Sequence, residues 1–129
     1  MNFMYENDYI MRIIQEMVRI MVSLMLGKQY VQAESPQENK YGVSDLKLQK
    51  WRELIDSGKI NEGENELLEN MDYQSKEDVA EAIFFYEYAG EKGDKFLREH
   101  DYSIEEVLDG LKQLAMQSGY GDLMEMLVE

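Results

Sequence analysis

The chain has 129 residues, no cysteine, and 27 acidic against 13 basic side chains, a length that fits one domain with its own core. The missing cysteines exclude disulfides, thiolate metal sites and thiol nucleophiles, and they suit a reducing cytoplasm. The formal net charge of −14 disfavours nucleic acid and anionic membrane surfaces as partners, because both are bound through Lys and Arg.

Residues 8–26 are predicted to form an apolar helix, with Asn7 or Asp8 as its N-cap and Gly27 as its stop. Its polar residues form one narrow stripe, so its apolar arc is much wider than a surface helix needs. We therefore expect cover from the rest of the chain and from a partner, most simply a second copy. The side chains predicted for this oligomer interface are Ile10, Ile13, Ile14, Met17, Val18, Met21, Leu24 and Met25.

The same helix is not expected to cross a membrane, because Arg12, Glu16 and Arg19 interrupt its apolar stretch. The first charged residues are Glu6 and Asp8, where a secretory signal carries basic residues. A cytoplasmic location is therefore expected.

The expected organisation is an N-terminal apolar helix over 1–28, a linker over 29–43 with Pro36 in it, and a helical bundle over 44–129. Together they are expected to make one domain. No segment alternates apolar and polar residues in the way a strand does, so the predicted fold class is all-α.

Within the bundle, helices are predicted over 44–56, 60–71, 75–89, 94–99, from Ser103 to before Gly119, and over 122–128. Ser75-Lys76-Glu77-Asp78 resembles a capping box, and Ser103-Ile104-Glu105-Glu106 matches one in full. Gly58 and Gly90 are expected to end the helices that precede them.

The segment from Trp51 to Leu67 resembles the turn and second helix of a tetratricopeptide unit. Gly58 stands where a glycine ends the first helix, and Gly63 stands where a small residue lets the second helix pack closely. The resemblance implies a helical-hairpin bundle with tetratricopeptide-like packing, although any antiparallel helix pair also needs a tight turn. A peptide groove in such a bundle is predicted at Trp51, Leu67, Phe84 and Tyr88.

Phe84 and Tyr88 are open to two interpretations. Either the helix that carries them is central and buried on both faces, or the two rings form an exposed anchor pair for a partner.

The whole chain is also similar to an uncharacterised family of small helical proteins from gut Firmicutes. The similarity lies in Tyr5-Glu6-Asn7-Asp8-Tyr9-Ile10-Met11-Arg12, in Leu54-Ile55-Asp56-Ser57-Gly58-Lys59-Ile60-Asn61-Glu62 and in Asp101-Tyr102-Ser103-Ile104-Glu105-Glu106-Val107. It implies a bacterial origin and carries no assigned activity.

Catalysis is not expected, and neither is a cofactor or a metal. His100 is the sole histidine and stands in a predicted helix-terminal turn, where histidine commonly stabilises carbonyl groups. Glu62, Glu66 and Glu69 share a helix face and are expected to be solvated. The predicted function is that of a non-enzymatic interaction or scaffold protein, homo-oligomeric through the N-terminal helix. The alternative is a regulatory module that binds a basic peptide in the predicted groove.

Overall fold

The computed structural model describes residues 3–25 and 41–122, and its regular secondary structure is helical. The described residues contain no strand, so the all-α prediction is confirmed. In chain order the helices are α1 Phe3–Met25, α2 Asp45–Asp56, α3 Ile60–Glu69, α4 Lys76–Glu91, α5 Asp94–Arg98 and α6 Ile104–Gln117.

Three serine side chains cap helix N-termini. Ser44, Ser75 and Ser103 each accept a hydrogen bond from the backbone N–H three residues on, and so satisfy a donor that the helix leaves unpaired. Ser103 also donates from Oγ to Glu106 Oε2 over 3.2 Å. The cap positions that the sequence predicted at Ser75 and Ser103 are confirmed.

The centre of the fold is α4, which packs against α1, α2, α3 and α6. A helix surrounded in this way must be apolar around most of its circumference. Its aromatic run therefore lies in the core, and even Phe84 is buried. The buried residues of α4 are Val79, Ala80, Ala82, Ile83, Phe84, Phe85, Tyr86, Ala89 and Gly90.

The N-terminal helix packs on its own chain, against α4 and α6. It begins at Phe3, five residues before the predicted start, so Asn7 and Asp8 lie inside it. Partly buried positions such as Ile10 and Ile13 also pack against the core. The buried side chains of α1 are Ile14, Met17, Val18, Met21, Val22 and Met25.

These contacts correct the predicted oligomer interface. Five of its eight residues, Ile14, Met17, Val18, Met21 and Met25, are covered by the chain itself. The wide apolar arc of α1 is explained because two helices of the same chain cover it from two directions. Among the eight, Leu24 alone is exposed, at 49%.

Two predicted boundaries differ from the structure. Gly90 lies inside α4, where an added Cβ would contact Val107 Cγ1 at 3.6 Å and Ile14 Cγ2 at 3.8 Å. It marks a close helix crossing, and the glycine with positive φ after α4 is Gly93. In the predicted linker, Tyr41 is buried in the core. Most of that linker and most of the helix predicted over 122–128 lie outside the described residues.

Within the described ranges, none of the helices combines the length and the hydropathy that crossing a bilayer requires.

Candidate functional site

A groove of about 350 Å³ opens between α3, α4 and α6, and we call it the α3–α4–α6 groove. Its volume lies in the range of pockets that take small molecules or single side chains of a partner. Apolar side chains form part of its wall, and carboxylates and amides form the rest. The lining residues are Glu64, Leu68, Tyr73, Tyr86, Glu106, Asp109, Gly110, Gln113, Leu114 and Gln117.

Gly110 shapes one wall of the groove. A glycine inside a helix costs about 1 kcal/mol relative to alanine, so its presence in α6 needs a packing reason. An added Cβ at Gly110 would lie 2.2 Å from Tyr86 Cε1, far inside van der Waals contact. The missing side chain therefore lets the Tyr86 ring lie directly across α6.

Two buried tyrosines meet at one carboxylate of the groove. Tyr86 donates from its hydroxyl to Glu64 Oε2 over 2.7 Å, and Tyr102 donates to the same oxygen over 3.0 Å. Burial raises the pKa of both phenols, and the hydrogen-bonded, negatively charged Glu64 raises the pKa further. Both phenols therefore stay protonated and act as donors at neutral pH.

These pKa shifts predict how the protein responds to alkali. The pKa of each phenol is higher in the folded than in the unfolded chain, where it is about 10. Their contribution to stability is therefore complete below about pH 10 and declines as the pH rises above it. In an alkaline titration, Tyr86 and Tyr102 should ionise together with the loss of helical circular dichroism, and Tyr86→Phe should remove one phenolate from that step. Ionisation of every tyrosine before the helices melt would contradict the geometry.

The charged residues that line the groove are all acidic. Glu64, Glu106 and Asp109 line the groove and are absent from the salt bridges between described residues. The ion pairs of the described chain use other carboxylates. They include Arg19–Glu16, Lys47–Glu77, Lys50–Glu66, Lys92–Asp56, Arg98–Asp94 and Arg98–Glu105. The groove thus presents carboxylates without a salt bridge from a described cation, and Arg98 interacts with Glu106 only at longer range.

In the described part of the chain, the residues predicted for a peptide groove lie at two separate places. Trp51 and Leu67 are buried and line a smaller cavity of about 170 Å³ between α2, α3 and α4. The indole N–H of Trp51 donates to Glu81 over 2.9 Å, and its ring packs edge-on against Phe85. Trp51 therefore acts mainly as a core residue whose polar atom is satisfied.

Phe84 and Tyr88 lie outside that cavity, on α4, where their rings stack between the side chains of Arg52 and Lys92. Their rings stack with centroids 5.6 Å apart, and the Arg52 guanidinium lies over Phe84 at 5.2 Å. Tyr88 donates to Asp56 over 2.8 Å, and the Lys92 ammonium lies 5.1 Å from its ring centroid. Both rings are engaged within the chain, which corrects the interpretation that they form a free anchor pair.

The sole histidine has a structural environment. His100 Nδ1 lies 2.8 Å from the carbonyl oxygen of Phe96, and the ring packs so closely on Gly58 that an added Cβ would meet it at 2.1 Å. Gly58 has a φ of +81°, which glycine adopts without strain. The imidazole therefore packs between the α2–α3 turn and the end of α5 and holds the two together.

The sequence did not indicate the α3–α4–α6 groove. The sequence feature that could have pointed to the groove is Gly110. A glycine in the middle of a strongly amphipathic helix marks a close approach of another element. The residues that sequence reasoning missed as site residues are Glu64, Tyr86, Tyr102, Glu106, Asp109 and Gly110.

Comparison with known protein families gives a match over most of the chain. The model of a family described as "Family of unknown function (DUF6483)" matches residues 4–119. No curated protein and no solved structure matches the chain.

Proposed function

The chain belongs to this family of unknown function, and we propose that it is a non-enzymatic interaction domain that binds a basic segment of another protein in the α3–α4–α6 groove. The family assigns no activity, so the proposal depends on the groove alone.

One observation carries the proposal: the groove combines an apolar wall with carboxylates that form no salt bridge with a described Lys or Arg. Leu68 is 41% exposed at its edge, and Tyr73 and Leu114 continue the apolar wall. A basic segment with apolar residues among its Lys or Arg would match both features. The net charge of −14 would also attract such a segment over a distance of about one Debye length.

The spacing of the carboxylates favours a peptide over a metal ion. No three acidic or histidine side chains converge on one point in the described ranges, whereas Ca²⁺ takes six to eight oxygen ligands around a single centre. Glu64, Glu106 and Asp109 are better matched to several separate cations. Successive basic side chains of a peptide provide that arrangement.

The proposal predicts that a short blocked peptide of repeating Lys-Leu-Ser units binds the protein, and that a Glu106→Gln, Asp109→Asn variant binds it more weakly. Two partly exposed ion pairs contribute about 0.5–1 kcal/mol each, so the loss should be about 5- to 30-fold in Kd. Glutamine keeps the capping-box geometry at Glu106. Isothermal titration calorimetry at low and at physiological ionic strength measures both effects, and salt should weaken binding to the wild type.

The matched control removes the same charge elsewhere. Asp8 and Glu99 are exposed and lie outside the groove lining, so Asp8→Asn, Glu99→Gln should change Kd by less than about twofold. Equal weakening by the two double variants would mean that the peptide responds to net charge and not to the groove.

We extend the proposal to the packing of α2 and α3 and to the source and location of the protein. We infer tetratricopeptide-like packing of α2 and α3 from Gly58, whose positive φ follows α2, and from Gly63, where an added Cβ would lie 3.6 Å from Leu54 Cβ of α2. We also propose that the protein comes from a gut Firmicutes bacterium and is located in the cytoplasm.

Self-association through α1 is the weaker proposal. Its supporting feature is the exposure of Tyr9 and Leu24 on the outer side of the helix. The other exposed positions along that side are polar, and Arg19 and Glu16 there form an ion pair. Such a surface has little apolar area for a stable dimer.

A further inference from the structure

Glu64 is held in an unusual way for a carboxylate that lines a binding groove. Both of its phenolic donors bond the same oxygen, Oε2, from Tyr86 on α4 and from Tyr102 just before α6. The rings of both tyrosines are buried, so their hydroxyl groups cannot swing away to other partners. The orientation of the Glu64 carboxylate is therefore fixed from two sides.

The two hydrogen bonds leave the two oxygens of Glu64 unequal. A carboxylate oxygen has two lone pairs, and Oε2 uses both for the phenols. Oε1 accepts no hydrogen bond from any described residue, and Glu64 has no described basic partner. One oxygen with free lone pairs thus remains for a ligand.

This asymmetry distinguishes the two basic side chains. The guanidinium of Arg binds a carboxylate best through two parallel N–H···O bonds, one to each oxygen. At Glu64 the second of those bonds would compete with two phenols. The ammonium of Lys is a compact charge that needs one oxygen, and Oε1 provides it.

The apolar wall of the groove suits the same ligand. A lysine places four methylene groups along apolar surface while its charged end reaches a polar partner. Leu68 and Tyr73 line the groove together with Glu64, so a stem packed on them would end at the carboxylate.

We propose that the α3–α4–α6 groove selects lysine over arginine, with Glu64 Oε1 as the acceptor of the ammonium and with Tyr86 and Tyr102 as the residues that set the selectivity. This inference rests on the proposed function, since it specifies which basic segment the groove takes.

The test compares two blocked peptides of identical length and charge, one of repeating Lys-Leu-Ser units and one of repeating Arg-Leu-Ser units. Their dissociation constants are measured by calorimetry at one ionic strength. The wild type should bind the lysine peptide about 3- to 10-fold more tightly, which corresponds to one hydrogen bond to a charged group, partly offset by competition.

Removing one phenol donor should weaken the selectivity. Tyr102→Phe frees a lone pair on Oε2, so the arginine peptide should gain affinity relative to the lysine peptide, and the ratio of the two constants should fall at least about twofold. Tyr86→Phe should act in the same direction, and it serves if Tyr102→Phe does not fold. A merely structural tyrosine would change both affinities by the same factor and leave their ratio unchanged.

The failures of the two proposals are distinguishable. Equal affinities for the two peptides, or tighter binding of the arginine peptide by the wild type, would overturn the selectivity and leave the proposed function standing. An unchanged ratio in the tyrosine variants would overturn the role of the phenols. Absence of binding by either peptide would overturn both proposals.

Discussion

A Met17→Asp, Met21→Asp double variant is expected to be unfolded at 25 °C and not a folded monomer released from an oligomer. Both side chains are 1% exposed in the core that α1 shares with α4 and α6. Each substitution removes apolar contacts, at about 2–5 kcal/mol, and buries a carboxylate without a partner, at several kcal/mol more. The sum exceeds the total stability of about 5–15 kcal/mol that is typical of a domain. Far-UV circular dichroism measures the helix content of the variant, and urea unfolding measures its stability.

Leu24→Asp is the matched control on the same helix. Its side chain is 49% exposed and lies in the last turn of α1, so the change should cost at most about 2 kcal/mol. The protein should stay folded, with the same mass from light scattering as the wild type. A folded Met17→Asp, Met21→Asp protein of lower mass than the wild type would mean that a partner covers α1. That result would restore the interface that the sequence predicted.

Gly110→Ala is expected to destabilise the protein by about 1–5 kcal/mol. The new Cβ would overlap the ring of Tyr86, which is buried and would have to shift, so overpacking of about 1–3 kcal/mol follows. Displacing the ring also breaks its bond to Glu64, at about 1–3 kcal/mol. The better helix propensity of alanine offsets about 1 kcal/mol of this. Equilibrium unfolding in urea measures the net change.

Gly90→Ala provides the comparison for that result. Gly90 is also helical and buried, but the nearest atom to an added Cβ, Val107 Cγ1, is 3.6 Å away, an ordinary contact. The substitution should stabilise the protein by about 0.5–1 kcal/mol. If both glycine variants gain stability, the close approach of Tyr86 to α6 is wrong.

The features that sequence reasoning predicted correctly are local ones. The capping serines Ser75 and Ser103 act within one turn of their own helix, so their neighbours in the sequence are sufficient to identify them. The apolar repeat of α6 likewise shows which side of that helix is buried, because the repeat depends on that helix alone.

The errors arise where the partner is distant in the sequence. Gly90 looked like a helix stop because its neighbours in sequence do not include Ile14 of α1 and Val107 of α6, which a Cβ added at Gly90 would contact. The wide apolar arc of α1 was assigned in part to a second copy for the same reason. Periodicity shows that a face is covered and does not show which element covers it.

The groove could not be predicted because its residues come from segments that are far apart in the sequence. Glu64 and Tyr102 are 38 residues apart and Glu64 and Tyr86 are 22 apart, and no spacing rule connects three helices. The acidic residues of α3 and α6 look like an ordinary solvated surface in the sequence. The approach of Tyr86 over Gly110 brings them around a common cavity.

The most direct test of the proposed function is the location of peptide binding. In an NMR titration of the ¹⁵N-labelled full chain with the Lys-Leu-Ser peptide, the amides that shift should cluster at the groove, around Glu64, Leu68, Asp109 and Gln113, and the shifts should shrink in Glu106→Gln, Asp109→Asn. Shifts confined to α1 or to the surroundings of Trp51, or no saturable shift at low ionic strength, would contradict binding of a basic segment in the α3–α4–α6 groove.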